Sequence, residues 1–282
     1  ITPCNTDPPC RYCFRWANEK IFSEDAILSD DELKIAIKAL EERGLKRVEL
    51  AGGTLWGEEG RRKTLKAAEV ACKSSKLQVW INNGPSYYEE DVFRLKEVGV
   101  YGIACNLETI NEVVFREMRP GDDFKLRKRI IEASEKVGLG IDNTLMIDLG
   151  KGPKQPRSYE DWANFFYYFK QFKNLKIVEI HPFRPVGGSP VQNWPAGSEL
   201  ESEKARAIAR LILRNVDISG ANHPIGLLAG ANLITHCLPV TKRFRAWKEP
   251  RGHVVTVSLN REGLEFVSRI EEAAIKHARR RC

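Results

Sequence analysis

Three cysteines near the start of the chain have the residue type and spacing for metal chemistry. Cys4, Cys10 and Cys13 form a C-x5-C-x2-C pattern, with Tyr12 directly before the last cysteine. Thiolates bind zinc, copper(I) and iron–sulfur clusters. A closed structural zinc site needs a fourth protein ligand, and no cysteine or histidine follows within the next fifty residues. Three thiolates suit a 4Fe-4S cluster with one open iron, and the alternatives are a zinc knuckle or unrelated buried thiols.

Polar and glycine-rich stretches follow several predicted strands. Gly52-Gly53-Thr54 ends one strand, and Asn106-Leu107-Glu108-Thr109 ends another. Glycines let the polar end of a ligand approach the main chain, and a carboxylate accepts hydrogen bonds from a vicinal diol. Arg127, near the start of a later helix, has a guanidinium suited to pairing with a carboxylate. Loops, helix caps and a surface arginine are the simpler explanations of these stretches.

The elements that must position these residues alternate regularly between strand and helix. A helix begins at the Ser29–Glu32 capping box and ends at Gly44. Further helices are predicted at 61–74, 87–98, 111–118, 123–137, 159–172, 199–215 and 261–281. Strands are predicted at 46–51, 77–81, 100–105, 140–147, 175–180, 216–219, 231–235 and 254–259.

This alternation predicts an α/β fold with a parallel sheet, and about eight units favour a closed (βα)8 barrel of the TIM type. Such barrels carry their chemistry on the loops after the strands, where the polar stretches fall. Ile1-Thr2 reads as the tail of a first strand, which we expect to be incomplete in this chain. We predict one domain over residues 1–282, with the strand and helix at about 254–281 completing or flanking the barrel.

Composition is that of a soluble globular protein, with 42% hydrophobic and 29% charged residues. No apolar run approaches the ~20 residues of a membrane span, and no secretory signal is visible. Seven unevenly spaced cysteines predict no disulfide framework, which favours a reducing cytoplasm. The net charge of +7 is dispersed, so we expect no nucleic-acid partner.

Taken in order, the motifs resemble those of radical S-adenosylmethionine (SAM) enzymes of the biotin synthase-like group. The similarity runs from Cys4 to about Asn232 and includes the strand-end stretches 145–150, 183–190 and 229–232. It implies the barrel fold, a 4Fe-4S cluster on Cys4, Cys10 and Cys13, and SAM as the second cofactor. The residues that it implies for SAM binding are Tyr12, Gly52, Gly53, Thr54, Asn106, Glu108, Arg127, Met146 and Val186.

The cysteine spacing departs from the usual C-x3-C-x2-C of that family by two residues, with Pro8-Pro9 in the longer gap. The longer spacing is similar to that of the HmdB/HcgA group, which serves biosynthesis of the guanylylpyridinol cofactor of mono-iron hydrogenase. The spacing from Cys10 to Cys13 is unchanged. We therefore predict that the loop bulges but still delivers its three sulfurs to the usual cluster position.

The same resemblance implies reductive cleavage of SAM to a 5'-deoxyadenosyl radical, with no catalytic residue beyond the cluster and SAM. The positions that hold a second cluster in biotin synthase correspond here to Leu50, Trp80 and Asp142, so sulfur insertion is not expected. The runner-up activity is a mutase or lyase reaction like those of methylornithine synthase or the diiron hydrogenase maturase. A zinc-stabilised binding protein without catalysis is the alternative from another class.

The predicted partners are a small polar precursor and an electron donor such as a ferredoxin or flavodoxin. Polar or aromatic residues expected to face the inside of the barrel are candidates for contacting the precursor, and satisfied core positions are the alternative. These candidates are Trp80, Asn82, Asp142, Thr144, Glu179, His181 and Asn222.

Overall fold

The computed structural model describes residues 1–17, 23–24, 27–42, 44–152, 159–220, 224–234 and 257–258. The strands are β1 (Arg47–Ala51), β2 (Gln78–Asn82), β3 (Gly102–Ala104), β4 (Gly140–Ile147), β5 (Leu175–Pro182), β6 (Asp217–Ile218), β7 (Leu233–Ile234) and β8 (Val257–Ser258). The helices are α1 (Asp30–Glu42), α2 (Glu58–Ser74), α3 (Asp91–Glu97), α4 (Glu112–Met118), α5 (Phe124–Val137), α6 (Tyr159–Lys170), α7 (Glu199–Ile212) and α8 (Pro224–Leu228).

Local sequence signals set several helix ends. Before α1, the Ser29 amide donates to Glu32 Oε2 at 2.8 Å, which is the backward bond of the predicted capping box. The carboxylate of Asp123 caps α5 by accepting from the Leu126 amide at 2.9 Å. The same helix ends at Gly138, whose φ of 74° is left-handed and favours glycine. These caps confirm the predicted boundaries at those ends.

The first six strands form one parallel sheet in the order β1-β2-β3-β4-β5-β6. The predicted α/β class and parallel alternation are confirmed. Next to β6, an isolated parallel bridge joins Ser219 to Leu233 at the start of β7. On the other side, the Gly53 amide donates to the Thr2 carbonyl at 2.9 Å, so the start of the chain runs beside the end of β1.

The predicted strand at 254–259 is described only at Val257–Ser258, which pairs antiparallel with β7. This pair therefore does not continue the parallel sheet. The predicted helices differ at their ends: α2 begins at Glu58 rather than at 61, and the helix predicted from 87 begins at Asp91. The predicted helix at 261–281 lies outside the described residues.

Alternate residues of the strands face two different layers. On one face, Leu50, Val79, Ile103 and Ile180 pack with residues of the helices in the main hydrophobic core. On the other, inner face, Trp80, Ile177 and Leu233 form a smaller apolar cluster. Among the described residues, no helix has the length and apolar character needed to cross a membrane.

Candidate functional site

A cavity of about 1060 Å³ lies where the strands of the sheet end. All three cysteines of the cluster motif line it, together with residues that follow β1, β2 and β3. Eight of the nine residues predicted to bind SAM are in its wall: Tyr12, Gly52, Gly53, Thr54, Asn106, Glu108, Arg127 and Met146. The fold therefore brings motifs that are more than one hundred residues apart into one space, because parallel strands present their carboxyl ends at the same edge.

Hydrogen bonds from the residues on either side of the first cysteine fix it against the segment that follows β1. The Asn5 amide donates to the Thr54 carbonyl at 2.9 Å, and Thr2 Oγ1 donates to the Gly53 carbonyl at 2.6 Å. A Cβ atom added at Gly53 would lie 2.8 Å from Cys4 Cα, far inside van der Waals contact. Only glycine at position 53 lets the cysteine loop lie this close to β1.

The other two cysteines share one tight turn. The Cys13 amide donates to the Cys10 carbonyl at 3.1 Å, and the Arg11 amide donates to the Met118 carbonyl at 2.9 Å. The longer segment between Cys4 and Cys10 contains a cis Asp7-Pro8 bond and runs against Gly121, where an added Cβ would lie 2.9 Å from the Asp7 nitrogen. The loop is therefore packed against the segment between α4 and α5.

Burial disfavours the thiolate form of two of the three cysteines when no metal is bound. Burial raises the pKa of Cys10 to about 11, and burial also raises the pKa of Cys13. Metal ligation needs the thiolate form, and a bound cluster supplies the positive charge that stabilises it. No three or more described His, Cys, Asp or Glu side chains converge as they would on a single metal ion. Cysteines that each bind a different iron of one cluster need no such convergence.

An arginine that the sequence did not single out contacts this loop. Arg15 Nη1 lies 3.4 Å from Cys4 Sγ and also donates to the Thr6 carbonyl at 3.3 Å. The Arg15 amide lies 3.5 Å from Cys13 Sγ. Donors to ligating sulfurs are among the features that tune a cluster's potential. Its position two residues after Cys13 is the only sequence signal that could have found it.

The residues after β3 contact both the cysteine loop and β4. Glu108, whose φ is 65°, accepts a hydrogen bond from the Tyr12 hydroxyl. Asn106 Oδ1 accepts from the Thr144 amide at 3.1 Å, which fixes the side chain beside β4. The Glu108 carbonyl accepts from the Met146 amide at 2.9 Å. These bonds hold Tyr12, Asn106, Glu108 and Met146 at one wall of the cavity.

A buried cluster of two arginines and one aspartate adjoins this wall, and both arginines line the cavity. Asp122 Oδ2 is 2.7 Å from Arg127 Nη2 and 2.8 Å from Arg119 Nη2. Each arginine also donates to the Asn106 carbonyl at 2.9 Å. Although Asp122 is buried, which raises the pKa of its carboxyl, Arg127 and Arg119 outweigh burial and hold that pKa far below its usual range. Arg127 therefore borders the cavity with its charge already paired.

Arg119 and Asp122 were missed by the sequence reasoning, since each lies outside the matched motif. Their positions three residues apart, just after α4, gave a weak signal for a local ion pair.

Val186 is the predicted SAM residue that the structure does not bring to the cavity. It is buried, and its carbonyl accepts from the Ser189 amide at 3.1 Å in a turn.

The predicted substrate residues divide into two groups. Asn82 and His181 line the cavity. Four others lie on the inner face of the sheet but do not line it: Trp80, Asp142, Thr144 and Glu179. Asn222 lies outside the described residues. The indole of Trp80 covers Gly102 and Gly140. A Cβ atom added at Gly140 would lie 2.8 Å from the ring.

Glu49 is an inner-face residue that sequence reasoning missed. It pairs with Trp80 across β1 and β2, and Asn82 Nδ2 donates to its Oε1 at 2.6 Å. The position expected from biotin synthase was Leu50, but Leu50 packs with the helices in the main core. Because strand side chains alternate between faces, a shift of one residue exchanges the two layers.

Comparison with known proteins identifies the family of the chain and agrees with its fold. The profile of the Radical SAM superfamily matches residues 2–155, more than half of the chain. The chain therefore belongs to the radical SAM superfamily, whose members are enzymes that use a 4Fe-4S cluster and S-adenosylmethionine.

Relatives within this superfamily include three curated proteins. An uncharacterized protein of Methanocaldococcus jannaschii is 33% identical over 84% of this chain and 63% of its own length. The 3-methylornithine synthase of Methanosarcina acetivorans is 23% identical over 82% of this chain and 65% of its own. Biotin synthase of Carboxydothermus hydrogenoformans is 26% identical over 83% and 74%, respectively. The chain thus spans slightly less than two thirds of the first two relatives.

A solved structure of methylornithine synthase (PylB) superimposes on 92% of this chain and 73% of its own, with a TM-score of 0.69 and 18% identity. At that identity the superposition establishes a shared fold. The relatives therefore define a radical SAM enzyme with biotin synthase and methylornithine synthase among its neighbours.

Proposed function

We propose that this radical SAM enzyme takes part in making the pyridinol portion of the guanylylpyridinol cofactor of mono-iron hydrogenase. The observation that carries the radical chemistry is the convergence of Cys4, Cys10 and Cys13 with the glycines after β1 on one cavity. The finer assignment is supported by the C-x5-C-x2-C spacing. The absence of a cysteine at Glu49, Trp80 and Asp142 on the inner face argues against a sulfur-donating second cluster there.

Cys4, Cys10 and Cys13 would hold the 4Fe-4S cluster, and Gly52, Gly53, Asn106 and Glu108 would hold SAM. When bound, the two cofactors supply the 5'-deoxyadenosyl radical that removes a hydrogen atom from the substrate. Gly52 and Gly53 line the cavity where the ammonium end of SAM would lie, and the carboxylate of Glu108 would accept hydrogen bonds from ribose hydroxyls. Tyr12 orients Glu108 through the hydrogen bond between their side chains.

The buried part of the cavity wall, which includes Thr54 and Arg127, would help to keep water from the radical. The space below them would position a small polar precursor. We propose a ferredoxin or flavodoxin as the electron donor and a reducing cytoplasm as the compartment. We also propose that the parallel sheet β1–β6, with Thr2 beside the end of β1 and Leu233 beside Ser219, is part of a (βα)8 barrel in one domain over 1–282, with 254–281 completing or flanking it.

The cluster assignment is tested by replacing each ligand separately with alanine. Cys4→Ala, Cys10→Ala and Cys13→Ala are each expected to lose the iron and sulfide of the reconstituted, anaerobically purified protein. Cys72→Ala is the matched control, because Cys72 lies on α2 and does not line the cavity. One zinc without sulfide in the wild-type protein would instead support the zinc-stabilised binding protein and refute the radical SAM mechanism.

The cofactor assignment is tested by deleting the gene in an organism that depends on mono-iron hydrogenase. We expect hydrogenase activity and guanylylpyridinol content to fall together and to return with the wild-type gene. Complementation with a Cys13→Ala variant should fail. Normal cofactor content in the deletion strain would refute this role and leave the radical chemistry intact.

A methylornithine synthase-like reaction is the second candidate, favoured by the similarity to 3-methylornithine synthase over 82% of the chain. A diiron maturase-like lyase is a variant of the same candidate. The two functions are separated by incubating the reduced enzyme and SAM with deuterated amino acids or with pyridinol precursors. Deuterium in 5'-deoxyadenosine identifies the substrate that donates the hydrogen atom.

A further inference from the structure

The side chain of Arg15 lies against the sulfur of the first cysteine of the cluster motif. Its Nη1 donates to Cys4 Sγ at 3.4 Å. The same nitrogen donates to the Thr6 carbonyl at 3.3 Å and lies 3.4 Å from the Thr6 hydroxyl oxygen. These two oxygens fix the direction of the guanidinium, because its donors lie in a rigid planar fork. Arg15 is therefore held in a position from which it reaches the sulfur.

Thr6 adds a second contact to the same sulfur. Its Oγ1 lies 3.2 Å from Cys4 Sγ, and Thr6 is 4% exposed, so protein encloses the hydroxyl. A thiolate has no proton to donate, so the hydroxyl would be the donor when Cys4 is a ligand. Thr6 belongs to the segment between Cys4 and Cys10, which is two residues longer than the usual spacing. This segment thus supplies a hydroxyl for the sulfur and the carbonyl that anchors Arg15.

The main chain of Arg15 contacts the last cysteine of the motif. Its amide lies 3.5 Å from Cys13 Sγ, in the short 3-10 helix Phe14–Trp16 that begins directly after Cys13. One residue therefore contacts two of the three sulfurs, Cys4 through its guanidinium and Cys13 through its amide. The amide is present whatever side chain stands at position 15, so a substitution there isolates the contact with Cys4.

A cation that donates to a ligating sulfur would favour the reduced form of a bound cluster. Reduction adds one electron and makes the cluster more negative by one charge. Net charge and hydrogen bonds to the sulfurs are among the features that set the reduction potential, and a nearby positive charge stabilises the more negative form. Arg15 is not among the residues that line the cavity. It is therefore placed to act through the sulfurs rather than on the substrate.

We propose that Arg15 is a positioning residue that raises the reduction potential of the 4Fe-4S cluster through its hydrogen bond to Cys4 Sγ, with Thr6 as a second donor. This inference rests on the proposed function, in which Cys4, Cys10 and Cys13 hold the cluster. The electron comes from the reductant, which is dithionite in vitro and the proposed ferredoxin or flavodoxin in the cell. Arg15 takes no part in the transfer itself. Its effect is to bring the cluster closer to the potential at which such a donor reduces it.

The test is the midpoint potential of the cluster in three variants of the reconstituted full chain. Arg15→Gln removes the charge and the Nη1 donor, and Thr6→Val removes the hydroxyl and keeps the shape of the side chain. Arg11→Gln is the matched control, because it removes an equal charge from the same loop. The guanidinium of Arg11 is paired with Glu117 at 3.1 Å and lies over the Trp194 ring. Iron and sulfide per chain are measured first, and the reduced cluster is then followed by EPR during an anaerobic dithionite titration without SAM.

We expect Arg15→Gln to lower the ratio of reduced to oxidised cluster about tenfold at a fixed applied potential. For one electron this corresponds to a midpoint potential about 59 mV more negative. Thr6→Val should give a smaller shift in the same direction, because it removes one donor and no charge. Arg11→Gln should change the ratio by less than about twofold, since its charge is already paired at the surface. A shift in Arg15→Gln no larger than that in Arg11→Gln, or a shift to a more positive potential, would overturn the inference. An unchanged potential in Thr6→Val would refute the part assigned to Thr6 alone.

The cluster content of the same samples separates the possible failures. Wild-type protein with zinc and no sulfide would refute the cluster assignment of the proposed function, and the inference with it. A wild-type cluster with equal potentials in Arg15→Gln and Arg11→Gln would refute the inference and leave the cluster assignment intact. Loss of iron and sulfide from Arg15→Gln, with a full cluster in Arg11→Gln, would show that Arg15 is needed for assembly rather than for tuning, and would also overturn the inference. The role in pyridinol synthesis is tested separately, because the potential is measured without substrate.

Discussion

Gly53 tests whether the contact between β1 and the cysteine loop controls cluster binding. In Gly53→Ala, the new Cβ would lie 2.8 Å from both the Cα and the nitrogen of Cys4, and closer still to its Cβ. Carbon atoms need about 3.5 Å, so Cys4 must move by at least ~0.7 Å. Metal–ligand distances tolerate only about 0.2 Å. The substitution therefore forces Cys4 away from the cluster unless β1 itself moves.

The expected effect is a loss of cluster from an otherwise folded protein. Overpacking of this kind costs about 1–3 kcal/mol, which is equivalent to a loss of cluster retention of about five- to 140-fold. The cluster-free protein escapes this cost, because without the cluster Cys4 can move away from the new methyl group. We therefore expect iron and sulfide per chain to fall sharply while the circular dichroism of the cluster-free protein stays unchanged.

Gly187→Ala is the matched control for this measurement. A Cβ at Gly187 would meet no atom within 4 Å, so the same chemical change creates no clash. Iron and sulfide are measured in both variants after identical anaerobic reconstitution. If Gly53→Ala retained as much cluster as Gly187→Ala, the close contact between Gly53 and Cys4 would not control the site, and the reasoning would be refuted.

Three further variants test the buried polar groups and the inner face. Asp122→Asn leaves two buried arginines without their shared anion and is expected to lower the free energy of unfolding by about 3–5 kcal/mol. The control is Glu117→Gln, which breaks an exposed ion pair and should cost at most about 1 kcal/mol. A similar loss in both variants would contradict the prediction. Burial and, as the second-largest cause, the charge of Glu179 raise the pKa of Glu49 from 4.5 to about 7. Water at the exposed surface of Glu49 screens part of this shift. Folding therefore favours the protonated carboxyl of Glu49, so the free energy of unfolding from urea denaturation should fall as pH rises from about 4.5 to about 7. In Glu49→Gln the dependence of this free energy on pH should be flatter. The same pH dependence in both proteins would argue against the raised pKa. Trp80→Ala should cost about 3–5 kcal/mol, because the indole packs over two glycines, with Trp80→Phe much milder; unchanged stability in Trp80→Ala would contradict this packing role.

The cysteine motif and the strand-end motifs were available from the sequence because their information is local. The spacing of Cys10 and Cys13 is set by one turn, which needs no distant partner. The β-α alternation also follows from local periodicity and caps such as Asp123 and Gly138. The alternation predicts a parallel sheet. Because parallel strands end on the same side, it also predicts that Gly53 and Asn106 lie at the same edge of that sheet.

Tertiary structure alone decided which charges meet. Arg127 was predicted to bind SAM and lines the cavity, and in the fold its guanidinium is also paired with Asp122, which it shares with Arg119. This pairing depends on how the segment between α4 and α5 packs behind Asn106. The periodicity of the sequence does not predict that packing, because in the sequence each of the three residues is an ordinary charged side chain.

The inner face of the sheet shows most clearly what the sequence alone could not predict. Strand alternation predicts that either Glu49 or Leu50 faces inward, and only the register with Trp80 settled that Glu49 does. The carboxylates of Glu49, Asp142 and Glu179 are separated by more than thirty residues each in the chain, and the sheet places them on the same face. The sequence by itself determined which chemical groups the chain carries and the secondary structure around them. Which of those groups lie on the same face of the sheet was decided by the folding of the sheet, because long-range contacts depend on strand register and packing.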